Sequence, residues 1–392
     1  MESFQDMKPG ILSRLILLAL AIAAGGGCAV AQTVSAAGMA EYHQRLEIYE
    51  REFGKFDAVA QPYWASIVDK RRKRNAKRRA GQEIVLEDYV LTQPPVYTGP
   101  AKPADPATGK PPRPYVPVIA DFTRNALEQF SFTPQRPASE AIYKKTYAKI
   151  AAEAGLTRDQ VVRIYTFESG GNGGYDVQAG LESGRPGARA ISTALGYNQL
   201  LHINSVELLA EQGDDFLKAL HRKAASVTGP EHDKLEAKAA ILQRMIRFSR
   251  TVPDEWNEHE KLANTPRGLG IHSLTLDIDI GPYLQTQKLL NSVMFARMKG
   301  VRRTLTAAEL EMMNFTGDGN GFDMVTMPEA MRDKVPTSNF FQRGGYERNP
   351  VASRNNTVKA LLAATDGKMD GEARLQGARD MAEAYDQATR KE

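Results

Sequence analysis

Helix start and stop signals follow one another closely from Ser139 to the end of the chain, and they constrain the fold more than any other feature. Gly155 is a good end for the segment that starts after Ser139, and Pro282 stands in the first turn of another. Thr306 with Glu309 forms a capping box, in which the two side chains satisfy orphan amide donors. Strand signals are few and short. The sequence therefore predicts a mainly α fold, with helices at 37–67, 141–154, 205–212, 231–248, 282–299, 307–314, 358–363 and 372–391.

One predicted helix has a carboxylate on its apolar face. A capping box at Thr157 and Gln160 starts this helix, and Val161, Ile164 and Tyr165 follow at the spacing of a single buried face. The next position of that series is occupied by Glu168. A carboxyl against apolar neighbours loses hydration of its charged form, so we expect its pKa to rise from about 4.3 towards about 6 or 7.

The helix should stop directly after this residue, at Ser169-Gly170-Gly171. Glu168 would then lie at the edge of a cleft, as an acid that still carries its proton at neutral pH. The alternative is a glutamate that extends into solvent or pairs with a neighbouring cation such as Arg163.

A second segment, Ala194-Leu-Gly-Tyr-Asn-Gln-Leu-Leu201, follows the Glu-Ser pair. A Glu-Ser pair at a helix end, followed by Ala-x-Gly-x-x-Gln, resembles the soluble lytic transglycosylase family, whose fold is lysozyme-like. In that family the Glu-Ser pair provides the catalytic acid, and a Gly-Leu-Met-Gln-like turn lines the sugar cleft. The family pattern is matched here by Glu168, Ser169, Gly196 and Gln199, whereas Tyr197 and Asn198 replace the usual Leu and Met. The intervening segment is longer than usual around residues 180–187, which we interpret as a loop beside the cleft.

The resemblance implies a role for each matched residue. Glu168 would be the catalytic acid with Ser169 orienting it, and residues 196–199 (Gly196, Tyr197, Asn198, Gln199) would bind substrate. The Met313–Gly317 segment is similar in place to the family's Ala-Tyr-Asn-Ala-Gly turn, which adds Asn314 and Thr316. The Pro336–Phe341 segment is similar to the Thr-Arg-x-Tyr-Val segment, so Phe341 would either stack on a sugar or fill the core.

No metal or other cofactor is predicted. The run from Asp318 to Asp323 hints at a calcium loop, but Phe322 stands where an oxygen ligand belongs and Asp323 where the turn glycine belongs. The single cysteine, Cys28, allows no internal disulfide.

The resemblance implies cleavage of the β-1,4 bond between N-acetylmuramic acid and N-acetylglucosamine in peptidoglycan glycan strands. One glutamate would first protonate the bond and then deprotonate the 6-hydroxyl, giving a 1,6-anhydro product. No second carboxylate stands at a recognised motif position. Two alternatives stay open: a lysozyme-type hydrolase, in which Asp176, Asp277 or Asp279 approaches Glu168, and a non-catalytic peptidoglycan-binding protein, suggested by the altered Tyr197 and Asn198.

The amino terminus has the pattern of an export signal. Leu15–Ala24 is a short apolar segment, and Ala29-Val30-Ala31 is a cleavage pattern, so residues 1–31 are predicted to be a signal peptide. The mature protein would be periplasmic or secreted. The alternative is an outer-membrane lipoprotein acylated at Cys28, although Gly25-Gly26-Gly27 lacks the expected leucine.

The rest of the chain divides by composition into a helical, basic region at 32–93, a proline-rich linker at 94–117 and a lysozyme-like domain at 118–392. Eight of the ten residues from Lys70 to Arg79 are basic, whereas the net charge of the whole chain is only +4. We interpret this block as a solvated helical face or a contact for cell-envelope machinery, and export argues against nucleic acid. A monomer is expected.

Overall fold

The computed structural model describes residues 35–106, 114–181 and 188–390. The predicted signal peptide, Cys28 and most of the predicted loop at 180–187 lie outside these ranges. Within them the chain is mainly helical, which confirms the predicted class. The only β pairing among the described residues is a set of isolated bridges, one of which joins Gln178 to Leu195. None of the described helices combines the length and apolar character needed to cross a membrane.

The helices and short 3-10 turns follow one another along the chain with brief connections. The α-helices of the described residues are α1 (Ala36–Arg79), α2 (Ile119–Phe130), α3 (Glu140–Glu153), α4 (Arg158–Ser169), α5 (His202–Ala225), α6 (Pro230–Ser249), α7 (Trp256–Ala263), α8 (Pro266–His272), α9 (Gly281–Met298), α10 (Ala307–Thr316), α11 (Asp318–Thr326), α12 (Glu329–Arg332), α13 (Arg343–Glu347), α14 (Pro350–Arg354), α15 (Val358–Glu372) and α16 (Gln376–Thr389). The 3-10 turns are Leu86–Asp88, Ser273–Leu276 and Thr337–Phe340.

Three predicted helices end too early. Those predicted at 37–67 and 358–363 continue to Arg79 and Glu372, and the one predicted at 205–212 continues through Gly213 to Ala225. A Cβ atom at Gly213 would lie 2.6 Å from Cγ1 of Ile246 on α6. The glycine therefore permits the close approach of α5 to α6 and does not cap a helix.

The predicted domain boundaries differ from the compact units of the structure. One unit includes described residues 35–52 and 99–106, and the other includes 53–98 and the described residues from 114 onwards. In the second unit, Trp64 and Ile67 of α1 are buried in a cluster with Tyr346 and Ala352. Residues 53–93 thus belong to the same compact unit as the predicted catalytic domain.

The basic block at the end of α1 is only partly solvated, which corrects the predicted solvated face. Arg74 is 0% exposed, donates hydrogen bonds to the carbonyls of Asp88 and Asn339, and lies 4.3 Å from the ring centroid of Tyr89. Its Nε is 3.6 Å from a carboxylate oxygen of Asp323 on α11. Outward-facing bases do occur in the same block, at Arg72, Lys73 and Arg79.

Four tyrosines form the centre of the main core. The ring of Tyr197 packs edge-on against Tyr143, Tyr147 and Tyr165, at centroid distances of 5.3, 5.3 and 5.0 Å. All four rings are 0% exposed. They come from α3, α4 and the 194–201 segment, so this segment packs against both helices. The end of α4 also contacts α10 and α15.

Candidate active site

Glu168 lies where the sequence predicted it. The capping box at Thr157 begins α4, and α4 ends at Ser169, followed by Gly170 with a φ of 65°. Glu168 is partly buried in the last turn and lines a cavity of about 920 Å³. The predicted helix and the position of its carboxyl at the edge of a cleft are both confirmed.

The cavity is formed by α4, α5, α7, α9, α10, α11, α15 and the 192–201 segment. Its lining is Phe167, Glu168, Ala179, Ser192, Ala194, Gln199, Leu201, Asn204, Glu207, Leu208, Glu211, Trp256, Lys288, Asn291, Ser292, Glu311, Met313, Asn314, Phe315, Gly317, Asp318 and Lys368. A large cleft with many polar groups and a few aromatic rings suits an extended polar ligand such as a saccharide.

A second glutamate, Glu311, lies beside Glu168. The two carboxyl groups share a neighbour, because Nδ2 of Asn314 donates to Oε1 of Glu168 at 2.7 Å and reaches Oε1 of Glu311 at 3.5 Å. Glu311 is 1% exposed, and no hydrogen-bond donor of the described residues reaches its buried Oε2. Two adjacent carboxyl groups of this kind do not ionise together easily, and they titrate as a pair.

The electrostatics of this pair favour retention of a proton. Burial raises the pKa of Glu168, against the opposing charges of Lys288 and Lys368. Burial also raises the pKa of Glu311 well above its ordinary value, and the charge of Glu168 adds to that rise. The pKa of Lys288 is lowered by burial, while the two carboxylates act in the other direction.

The 194–201 segment holds Lys288 against the pair. Nζ of Lys288 donates to the backbone carbonyls of Asn198 and Gln199, at 2.8 and 3.3 Å. Asn198 is fixed in turn, because its Nδ2 donates to Tyr147 and to the carbonyl of Gln285, and its backbone amide donates to Oε1 of Gln285. The segment thus orients a lysine that the sequence did not identify.

The predicted substrate-binding residues divide into two groups. Gln199 and Asn314 line the cavity. Gly196, Tyr197 and Asn198 are buried below it, where they support the floor of the cleft. Gly196 has a φ of 82°, and a Cβ there would lie 2.2 Å from Nε2 of Gln285, so only glycine fits.

Two further predictions need correction. The hydroxyl of Ser169 donates to the carbonyl of Tyr165 at 2.6 Å, and it is Asn314 that contacts Glu168. The hydroxyl of Thr316 donates back to Met312 within α10 and is not part of the lining. For Phe341 the structure agrees with the second of its two expected roles, core filling, because its ring packs on Phe315 and Tyr346 at 5.8 and 6.0 Å between ring centroids and does not line the cavity.

The three aspartates considered as second carboxylates do not line the cavity. Asp176 pairs with Arg136 at 3.1 Å. Asp277 and Asp279 are buried around Lys238, and Asp277 also accepts a hydrogen bond from the backbone amide of Gln135. These acids have structural roles.

The alternative partner of Glu168, Arg163, is occupied elsewhere. Arg163 pairs with Asp366 and Asp370 of α15, at 3.0 and 2.9 Å. It therefore ties α4 to α15 and leaves the carboxyl of Glu168 to the cavity.

Sequence reasoning missed Glu311, although a signal for it existed. Ala307, Leu310, Glu311 and Asn314 fall at i, i+3, i+4 and i+7 of the predicted helix, so a carboxylate interrupts an apolar face as it does at Glu168. Lys288 gives no comparable signal, because a long side chain can reach a site from several faces of its helix.

The other end of the cavity has its own acids and an exposed ring. Burial raises the pKa of Glu207 to about 7, and nearby Glu211 adds to this rise. Asp318 accepts a hydrogen bond from Ser292 at 2.7 Å. Trp256, at the start of α7, is 47% exposed and offers a flat apolar surface to a ligand.

Comparison with protein-family models, curated proteins and solved structures finds nothing that matches this chain. Within the part of the chain that the structure describes, no group of three His, Cys, Asp or Glu side chains is arranged to hold a metal ion.

Proposed function

We propose that this protein is a lytic transglycosylase with a lysozyme-like catalytic domain, which cleaves the β-1,4 bond between N-acetylmuramic acid and N-acetylglucosamine in peptidoglycan. One observation supports this above all: a partly buried carboxyl, Glu168, lies in the last turn of a helix at the edge of a large cleft, and burial raises its pKa. This is the environment that a general acid needs at neutral pH.

In the proposed reaction Glu168 donates its proton to the glycosidic oxygen, and the electrons of the bond to C1 of the muramic acid go to that oxygen. The sugar then has oxocarbenium character at C1. The 6-hydroxyl of the same sugar attacks C1, and its proton returns to Glu168. The product has a 1,6-anhydro ring, no water is consumed, and Glu168 ends in its starting protonation state.

The remaining lining would bind the glycan strand. Trp256 and Phe315, 47% and 39% exposed, would stack on sugar faces, while Gln199 and Asn291 would bond to hydroxyl or acetamido groups. Such a substrate lies outside the cytoplasm, in agreement with the predicted export signal, and we propose no cofactor.

Substitution of the acid tests the proposal. The Glu168→Gln variant should bind cell walls in sedimentation assays but release at least a thousandfold fewer muropeptides, because the amide donates no proton in the reaction. Glu372→Gln is a matched control, since Glu372 is a partly buried glutamate on α15 that is not part of the lining. Sedimentation without release by either the wild-type chain or the variant would indicate a binding protein.

A lysozyme-type hydrolase is the second candidate, because the same cleft contains Glu207, whose pKa is raised to about 7. The two chemistries differ in their product. Mass spectrometry of digested peptidoglycan separates an anhydro end from a reducing end by one water, and Glu207→Gln would abolish only the hydrolytic product.

A further inference from the structure

The carboxyl of Glu168 does not face the cleft alone. Glu311 lines the cavity beside it but is only 1% exposed, whereas Glu168 is partly exposed, so Glu168 is the more accessible of the two carboxyls. The buried Oε2 of Glu311 has no donor among the described residues, and an ionised Glu311 would leave that oxygen uncompensated. Nδ2 of Asn314 lies 2.7 Å from Oε1 of Glu168 and 3.5 Å from Oε1 of Glu311, so one amide links the two carboxyl groups.

We propose that Glu311 is a positioning residue that shares one proton with Glu168, with Lys288 as the fixed counter-charge of the pair. This inference rests on the proposed function, in which Glu168 must be an acid in one step and a base in the next. The shared proton keeps Glu168 protonated at a pH where an isolated glutamate would be ionised.

The two proton transfers of the proposed reaction explain the role of the third group, Lys288. When Glu168 transfers the proton to the leaving oxygen, the pair becomes two adjacent carboxylates. Lys288, held by the carbonyls of Asn198 and Gln199, then offsets one of the two negative charges without any movement. The repulsion that remains between the two carboxylates makes Glu168 an effective base towards the 6-hydroxyl. The returning proton restores the resting pair.

Several other charged groups face the pair or its cleft. Lys368 of α15 lies close enough to favour the charged form of Glu168. The acids Glu207 and Glu211 of α5 and Asp318 of α11 line the same cavity. These groups stay in place in the variants below, so they do not account for differences between them.

The Glu311→Gln variant tests the proposal through the pH dependence of kcat. An amide at this position carries no charge and donates to the carboxylate of Glu168, so the pKa of Glu168 falls. The alkaline limb of the rate profile should move to lower pH by at least one unit, a loss of tenfold or more at pH values above the wild-type limb that acid pH restores. Glu311→Asp should retain part of the wild-type profile, and Glu372→Gln should retain all of it.

The Lys288→Met variant should shift the profile in the opposite direction. Loss of the counter-charge raises the pKa of the pair, so the alkaline limb moves to higher pH while kcat falls. A purely structural role for Glu311 and Lys288 predicts instead an even loss of rate with unmoved limbs, and that result would overturn the proposal.

A titration without substrate separates this inference from the proposed function. In protein labelled with carboxyl-13C glutamate, NMR should show the resonances of Glu168 and Glu311 titrating together in two steps more than one pH unit apart. Glu168 should titrate once, at lower pH, in Glu311→Gln. Independent single titrations in the wild-type chain would refute the pair even if Glu311→Gln did not fold. Coupled titration without muropeptide release would refute the enzyme and leave the pair intact.

Discussion

At the scale of single residues, the buried carboxyl pair makes stability depend on pH. The folded chain holds protons on Glu168 and Glu311 that the unfolded chain, with a glutamate pKa of about 4.3, gives up more readily. Their favourable contribution is therefore complete below that value and is lost as the pH rises through the raised values of the folded state. The wild-type chain should lose stability from acid towards neutral pH on account of this pair.

The Glu311→Gln variant should reduce this loss. Because the amide needs no proton and can donate to Glu168, we expect the variant to be more stable than the wild type at pH 8 by about 1–3 kcal/mol, with a smaller difference at pH 5. Urea denaturation at the two pH values measures the effect. An equal difference at both values would contradict the assignment of the proton to the pair.

At the scale of elements, helix boundaries were predictable where local capping fixes them. Thr157 with Gln160 and Thr306 with Glu309 begin α4 and α10 as predicted, because a capping box needs only neighbouring residues. Gly213 could not be interpreted in this way. Its role depends on Ile246 of another helix, and a glycine that ends a helix and one that admits a neighbouring helix look alike in a sequence.

A double-mutant cycle tests the contact between α5 and α6. Gly213→Ala gains helix propensity of about 1 kcal/mol, but the new Cβ meets Ile246 at 2.6 Å in a closely packed core. We expect a net loss of about 1–3 kcal/mol in the free energy of unfolding, most of which disappears in the Ile246→Ala background. Thermal denaturation of the four chains gives the coupling, and additive effects would show that the glycine is not required for packing.

At the scale of the whole molecule, the sequence identified the acid but not the groups that tune it. Glu168 and Asn314 could be found because each belongs to a local motif. Lys288 and Glu311 come from α9 and α10, more than a hundred residues away from Glu168 along the chain, and only the packing of these helices brings them to α4. The basic block at 70–79 was misjudged for the same reason, since Asn339, which accepts from Arg74, lies 265 residues further along the chain.

This long-range attachment of α1 can be measured. Arg74→Met should lower the free energy of unfolding by about 2–4 kcal/mol, because it removes one of the two arginine partners of Asp323 and leaves the carbonyl of Asp88 short of a donor. The matched control is Arg72→Met, an exposed base in the same block, which should change stability by less than about 0.5 kcal/mol. Chemical denaturation of both variants compares them directly, and equal losses would mean that the buried attachment is unimportant.

The contrast between the two tryptophans also provides a spectroscopic assay. These are the only two in the chain, with Trp64 7% exposed in the α1 cluster and Trp256 47% exposed at the cleft. Acrylamide should quench the emission of Trp256 in the native protein, and a glycan fragment bound in the cleft should protect it. The emission of Trp64 should shift to longer wavelength only on unfolding, so one fluorescence spectrum reports ligand occupancy and global integrity separately.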